Sequence, residues 1–290
     1  MIMTIQKSGY NYNTTISQCR YGLFAPIQKN TNRSRIIANK IKYDNIEMSL
    51  SKVLTQTHQD IILALLSFYE KKGIIDDRNI IILYSPAAIL RKLGQKGKNM
   101  DWLAKKIQEI SDTDLNVKVK ISPEEKEIKI PDKIIIEKGP SKIKNQASSF
   151  EHFLAYVKFG SIYSDLFNFD INMQIKNDVL EDIIAIRHGV VKAVVKYTLT
   201  MSTGKNFHLN IPLQKILFEI KAINENTPDR TLRQLIKYVF DQRDFLKEKF
   251  GIIISKNIVF YHPKNNNVYF KNIAESDKYS HLIELESVSQ

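Results

Sequence analysis

Arg230, Arg233, Gln234, Lys237 and Tyr238 fall within nine residues of an otherwise helical pattern. Those side-chain types have the chemistry of duplex recognition. Arg and Gln form paired hydrogen bonds to base edges, and Lys and Tyr hold phosphate oxygens. Around them Leu232, Leu235, Ile236, Val239, Phe240, Leu246 and Phe250 recur at helical spacing and make one apolar stripe. The pattern predicts a single helix over Thr227–Phe250, with Thr227 as N-cap and Pro228 at the first helical position. At about 100° per residue, the side opposite the stripe carries Arg230, Gln234, Lys237 and Asp241, flanked by Arg233 and Tyr238. An ordinary surface helix with a solvated face shows the same pattern, so the neighbouring elements decide how it is read.

Gly251 ends this helix, and Ile252–Ser255 and Ile258–His262 read as short strands. Lys264–Asn267 reads as a turn and Val268–Asn272 as a return strand. The expected tip adds Lys264, Asn265, Asn266 and Lys271 as candidate DNA contacts. A helix followed by a hairpin with a basic tip is the order of a winged helix.

The same plan is expected earlier in the chain. Thr57 is placed as the cap of a helix over His58–Lys72, whose run Ile61–Leu66 is apolar nearly all round and predicts a buried central helix. Asn79–Tyr84 reads as a strand, Pro86–Leu93 as a second helix ended by Gly94, and Met100–Ile110 as a third with Leu103, Ile107 and Ile110 inward. Segments 115–121 and 127–136 then form a hairpin. Lys96, Lys98, Lys105 and Lys106 are the candidate DNA contacts of this unit, but Asp101 and Asp112 share the face and repel phosphates. Its expected role is therefore positioning and protein contact, with base reading left to the second unit. Residues 179–201 read as one helix, 207–211 as a strand and 212–223 as a helix, completing the second copy.

The expected fold class is α+β, two tandem winged-helix domains, each a helix-turn-helix plus a β-hairpin wing. The expected boundaries are a flexible extension over 1–45, a first domain over 46–140, a linker over 141–149 opened by Gly139-Pro140-Ser141, a second domain over 150–273 and a polar tail over 274–290. A length of 290 residues fits about two domains. Lys and Arg number 43 against 31 Asp and Glu, a net charge of +12, which favours a polyanionic partner. Cys19 is the only cysteine, which excludes an internal disulfide and a multi-cysteine zinc site and suits a reducing cytoplasm. No apolar run of about 18 residues and no signal pattern predicts a membrane span or secretion.

The stretch Leu54–Asp60 leading into Ile61–Leu66, then Tyr84–Gly94, then Trp102-Leu103 with Ile107, resembles the first winged helix of bacterial plasmid replication initiators. The likeness is to the iteron-binding, TrfA-like branch. Residues 190–201, 207–218, Arg230–Lys249 and the hairpin are similar to the second winged helix of those proteins, so the resemblance spans about 50–272. It implies theta-type initiation at origin direct repeats, with both units on double-stranded DNA. It also implies a homodimer through the first unit and recruitment of a host replicative helicase and initiator. Monomers of that family bind the repeats, dimers are autorepressive or inactive, and no covalent chemistry is done.

Other classes are weaker. A rolling-circle nickase needs a tyrosine beside a metal held by His-x-His, and no two of histidines 58, 152, 188, 208, 262 and 281 lie within two residues. Gly204-Lys205 is not a P-loop, since Leu199 stands where the earlier glycine belongs and Asn206 replaces Ser or Thr. No enzyme activity, cofactor or metal is expected. The main alternative is a tandem winged-helix transcriptional regulator.

Overall fold

The computed structural model describes residues 10–15, 19, 23–27, 40–43, 46–67, 73–76, 79–95, 99–119, 128–144, 151–169, 172–201, 209–261 and 268–271. Helix α1 (Gln56–Leu66) is the buried centre of the first unit. Its start lies two residues before the expected start at His58. Thr55 is the N-cap, and its amide donates to Nδ1 of His58 at 3.0 Å, so an imidazole does the work of the usual glutamate. The run Ile61–Leu66 is buried on every side, each of its Ile and Leu side chains contributing roughly 1.5–3 kcal/mol of transfer free energy.

Strand β5 (Asn79–Tyr84) follows with alternating burial. Helix α2 (Pro86–Lys92) begins with its proline at the first turn and ends where Gly94 takes φ +64°, a left-handed position suited to glycine. Helix α3 (Met100–Ser111) turns Leu103, Ile107 and Ile110 inward. Strand β6 (Asp114–Val119) then pairs antiparallel with β7 (Ile128–Lys133), from Asp114 opposite Lys133 to Val119 opposite Ile128.

Two four-stranded sheets flank these helices. One has the order β2 (Lys40–Tyr43), β3 (Ile46–Leu50), β6, β7. The other has the order β4 (Gly73–Asp76), β5, β9 (Glu151–Phe159), β8 (Ile135–Lys144). The stretch Gly139–Lys144, expected to open a linker, is thus an edge strand. Gly139 stands opposite Tyr156 and Lys144 opposite Glu151. Pro140 is tolerated there because an edge strand has one side without ladder bonds. Val157 and Phe159, expected in the second domain, pack into the first core with Tyr163 of α4 (Ser161–Phe169), a helix the sequence did not suggest.

The second unit departs from expectation in its breaks. The helix expected over 179–201 is two, α5 (Asn177–Ala185) and α6 (Gly189–Leu199). Ile186 is extended and buried between them, and Gly189, a poor helix former, opens α6. After β11 (Leu209–Pro212) and α7 (Leu213–Glu219) comes α8 (Asp229–Phe240), capped by Pro228 rather than Thr227. The Thr227 hydroxyl instead accepts from the Asn224 amide at 2.8 Å and closes the preceding turn. The helix expected to run unbroken to Phe250 stops at Asp241 and resumes as α9 (Arg243–Phe250), which Gly251 ends at φ +74°.

The hairpin is β12 (Ile252–Ser255) and β13 (Ile258–Tyr261). Its tip is Lys256-Asn257, both at positive φ, the two-residue turn that matches strand twist. The expected tip at Lys264–Asn267 lies outside the described residues. The expected return strand forms as β14 (Val268–Lys271) but does not pair with β13. It pairs with β10 (Asn172–Lys176), which pairs with β1 (Tyr10–Thr15), giving the sheet β1-β10-β14. The second unit's own sheet has the order β11-β13-β12. The amino-terminal segment, expected to be a flexible extension, contributes β1 and β2 to sheets, Leu23 and Phe24 to the first core and Cys19 to the second. Leu63 of α1 belongs to the second core and Ile184 packs against both, so the two units meet along α1 and α6.

Candidate nucleic-acid interface

Helix α8 is held by few inward residues. Only Val239 is fully buried, while Leu232, Leu235, Ile236 and Tyr238 rest against the second core. Its other side is left to solvent: Arg230, Arg233, Gln234 and Lys237 are all exposed. The three cations have no ion-pair partner among the described residues. Asp229 in the first turn and Lys237 in the last complement the helix dipole.

Gln234 and Tyr238 are one turn apart, and Gln234 Nε2 donates to the Tyr238 hydroxyl at 2.6 Å. The Tyr238 ring stacks on His188 with centroids 4.8 Å apart and planes 14° apart. That contact brings the α5–α6 elbow against α8 and adds exposed His188 to the same flank, with exposed Arg187 next to it in the chain. Neither was a candidate in the sequence. The helical period ran through positions 186–188 without showing the elbow, and the stack joins residues 50 apart in the chain.

The hairpin tip supplies exposed Lys256 and Asn257, in place of the expected Lys264, Asn265 and Asn266, which lie outside the described residues. The signal was in the sequence: Lys-Asn separates two short β-branched runs. The Lys271 backbone sits opposite Asn172 in the β1-β10-β14 sheet, away from that hairpin's sheet. At the far end of α8, Arg243 lies over the Phe240 ring at 4.4 Å, and Lys249 of α9 pairs with Asp182 at 3.5 Å.

On α3 the polar face is arranged differently. Lys105 is exposed, but Lys106 Nζ donates to Glu109 Oε2 at 2.6 Å. The same oxygen lies 2.8 Å from Nε2 of buried His58. Nδ1 of His58 already accepts from Thr55, so Nε2 carries the proton and donates. Burial pushes the His58 pKa down, against the pull of the Glu109 hydrogen bond. Gln108 donates to Asp112 and accepts from Lys138 Nζ, both at 2.5 Å. Lys96 and Lys98 lie outside the described residues. Among the described residues, no three His, Cys, Asp or Glu side chains gather as a metal site requires, and no helix is long and apolar enough to cross a membrane.

No family profile matches the chain, and no curated protein matches it significantly. Among solved structures the chain is similar to the crystal structure of RctB domains 2–3, at 15% identity with a TM-score of 0.44. The match covers 76% of this chain and 87% of that one. The architecture, helices with small antiparallel sheets, is α+β.

Proposed function

We propose that the protein is a sequence-specific duplex-DNA-binding protein built from two winged-helix units, and that it initiates replication at an origin. The observation that carries the reading is α8. It offers Arg230, Arg233 and Lys237 without an ion-pair partner among the described residues, with Gln234 among them, and the same unit carries a hairpin whose tip is Lys256-Asn257. The element order supports winged helices: α6, β11, α7, α8, the short α9 and the β12–β13 hairpin, with β11 on the far side of β13 from β12. In the first unit α1, β4, β5, α2, α3 and the β6–β7 hairpin follow a similar order, without a counterpart of α9 and with β5 paired to β4 and β9 instead of to the hairpin. A net charge of +12 suits the partner.

In this reading α8 enters the major groove, and Arg187, His188 and Lys256 meet phosphates along the groove's edges. The first unit positions on phosphates and carries protein contacts. The sequence resemblance supports the finer points: plasmid theta replication from iterons, a homodimer through the first unit, and recruitment of a host helicase and initiator in the cytoplasm. The protein acts by binding, without covalent chemistry.

Selection of bound duplexes from a random pool, then anisotropy titration of the winner singly and in tandem, tests this. Additive filling of direct repeats by monomers is expected. A palindrome bound only by a dimer would favour the regulator, and metal-dependent nicking of supercoiled DNA would overturn the non-enzymatic reading. No enriched duplex would remove specific DNA binding altogether.

A further inference from the structure

Lys192 and Lys196 lie one turn apart on α6, at 0% and 1% exposure. Ammonium groups are almost never buried so completely unless partnered. Both reach across the seam to α1 of the first unit. Lys192 Nζ donates to Asp60 Oδ2 and to the Ile184 carbonyl at 3.1 Å. Lys196 Nζ donates to Asp60 Oδ1 at 2.9 Å, Gln59 Oε1 at 2.9 Å and Gln56 Oε1 at 3.1 Å. Three acceptors match the three N–H bonds of an ammonium. Gln56 is itself oriented, because its Nε2 donates to the Phe24 carbonyl at 3.2 Å. The amino-terminal segment, α1 and α6 are therefore tied at one point.

A single carboxylate serves both lysine side chains. Burial pushes the Lys196 pKa down, Lys192 adds to that, and Asp60 opposes it. Adhesion does not need such a group, since Leu63 and Ile184 already join the cores with apolar contacts. Buried ion pairs are often no more stabilising than apolar replacements, but their directional bonds close in one arrangement only. An apolar seam tolerates slippage. Here a shift of one helical turn, about 5.4 Å, would leave two ammoniums without acceptors.

We propose that Asp60, Lys192 and Lys196 are positioning residues that hold the two units at one mutual angle and so set the separation of the two duplex segments the units contact. The duplex part rests on the reading given under Proposed function; the angle does not.

The test measures distance in the full chain. Nitroxide labels go on Ala104→Cys in α3 and Lys247→Cys in α9, both exposed, while Cys19 is buried. Without DNA, the wild-type background is expected to give one narrow distance. Asp60→Leu/Lys192→Met/Lys196→Met should keep its far-UV spectrum and broaden the distribution. Lys196→Met alone, which leaves a neutral Asp60–Lys192 pair, should broaden it less and serves if the triple variant does not fold. A broad wild type, or variants as narrow as wild type, overturns the angle.

On the selected duplex, inserting about 5 base pairs, half a turn, between the protected segments should weaken wild type at least about tenfold. The broadened variant should lose much less. Equal losses overturn the spacing claim alone. A wild type that binds no duplex overturns the spacing claim together with the reading beneath it.

Discussion

Helices α3 and α8 are both twelve residues long, and each stands between a shorter helix and a stretch leading to an antiparallel hairpin. They differ in what their polar side chains touch. On α3, Lys106 is held by Glu109, Glu109 by His58, and Gln108 by Asp112 and Lys138. On α8, Arg230, Arg233 and Lys237 have no ion-pair partner among the described residues, Gln234 bonds to Tyr238, and Tyr238 stacks on exposed His188. A cation with an internal carboxylate loses part of its attraction for phosphate, because the pair is nearly neutral at a distance. Equivalent positions in a fold therefore do not imply equivalent work.

The largest expected effect separates folding from recognition. Gly160→Ala would place a methyl 2.0 Å from the Lys133 carbonyl oxygen and 2.6 Å from an Asp132 carboxylate oxygen, in the first unit. A loss of more than about 4 kcal/mol is expected by chemical denaturation. A loss below about 1 kcal/mol would show that this junction relaxes freely.

Alkaline titration sharpens the contrast next. Burial raises the Tyr84 pKa from 10.0 to about 12. Its phenol favours the folded state fully below the unfolded pKa, and that contribution is lost as pH climbs from 10 toward 12. The slope is at most about 1.4 kcal/mol per pH unit. Trp102, the one tryptophan, packs against the same core and reports that unit by fluorescence. Tyr84→Phe should flatten the slope; an unchanged slope places its source elsewhere.

Arg233→Ala should cost about 1–3 kcal/mol of specific affinity and relax base preference. Lys105→Ala on α3 should cost less and leave preference intact. Equal losses of discrimination would erase the contrast between the helices. The smallest effect belongs to Lys256→Ala at the hairpin tip. It should weaken every duplex alike and reduce the log–log salt slope by about 0.9. A change in preferred sequence would mean that the tip reads bases.

The sequence made the first unit's helices legible because their signals are local: Pro86 at a first turn, Gly94 at an end, and Leu103, Ile107 and Ile110 on one face. It hid the breaks at 186–188 and 241–242, since apolar spacing stays in phase across two or three residues. Gly139-Pro140-Ser141 has the composition of a linker, but an edge strand accepts it too. The partner of β14 and the links from Gln108 to Lys138 and from Glu109 to His58 join residues 30 or more apart, beyond any local pattern. The exposed face of α8 was legible because solvent exposure leaves the helical period undisturbed. Lys192 and Lys196 passed unremarked among valines that carried the stripe, since nothing local distinguishes a buried lysine from a solvated one.

The β1-β10-β14 sheet has a consequence during synthesis. Strand β1 leaves the ribosome about 160 residues ahead of β10, its partner in this sheet among the described residues, and β10 keeps an open edge until β14 follows. At 5–20 residues per second, β1 waits roughly 10–30 s. For that time its ladder groups lack this partner, and a nascent chain stalled between 176 and 268 carries an edge that another stalled chain can pair with. The order of emergence thus gives this sheet an aggregation hazard in translation that closes for β10 when β14 arrives.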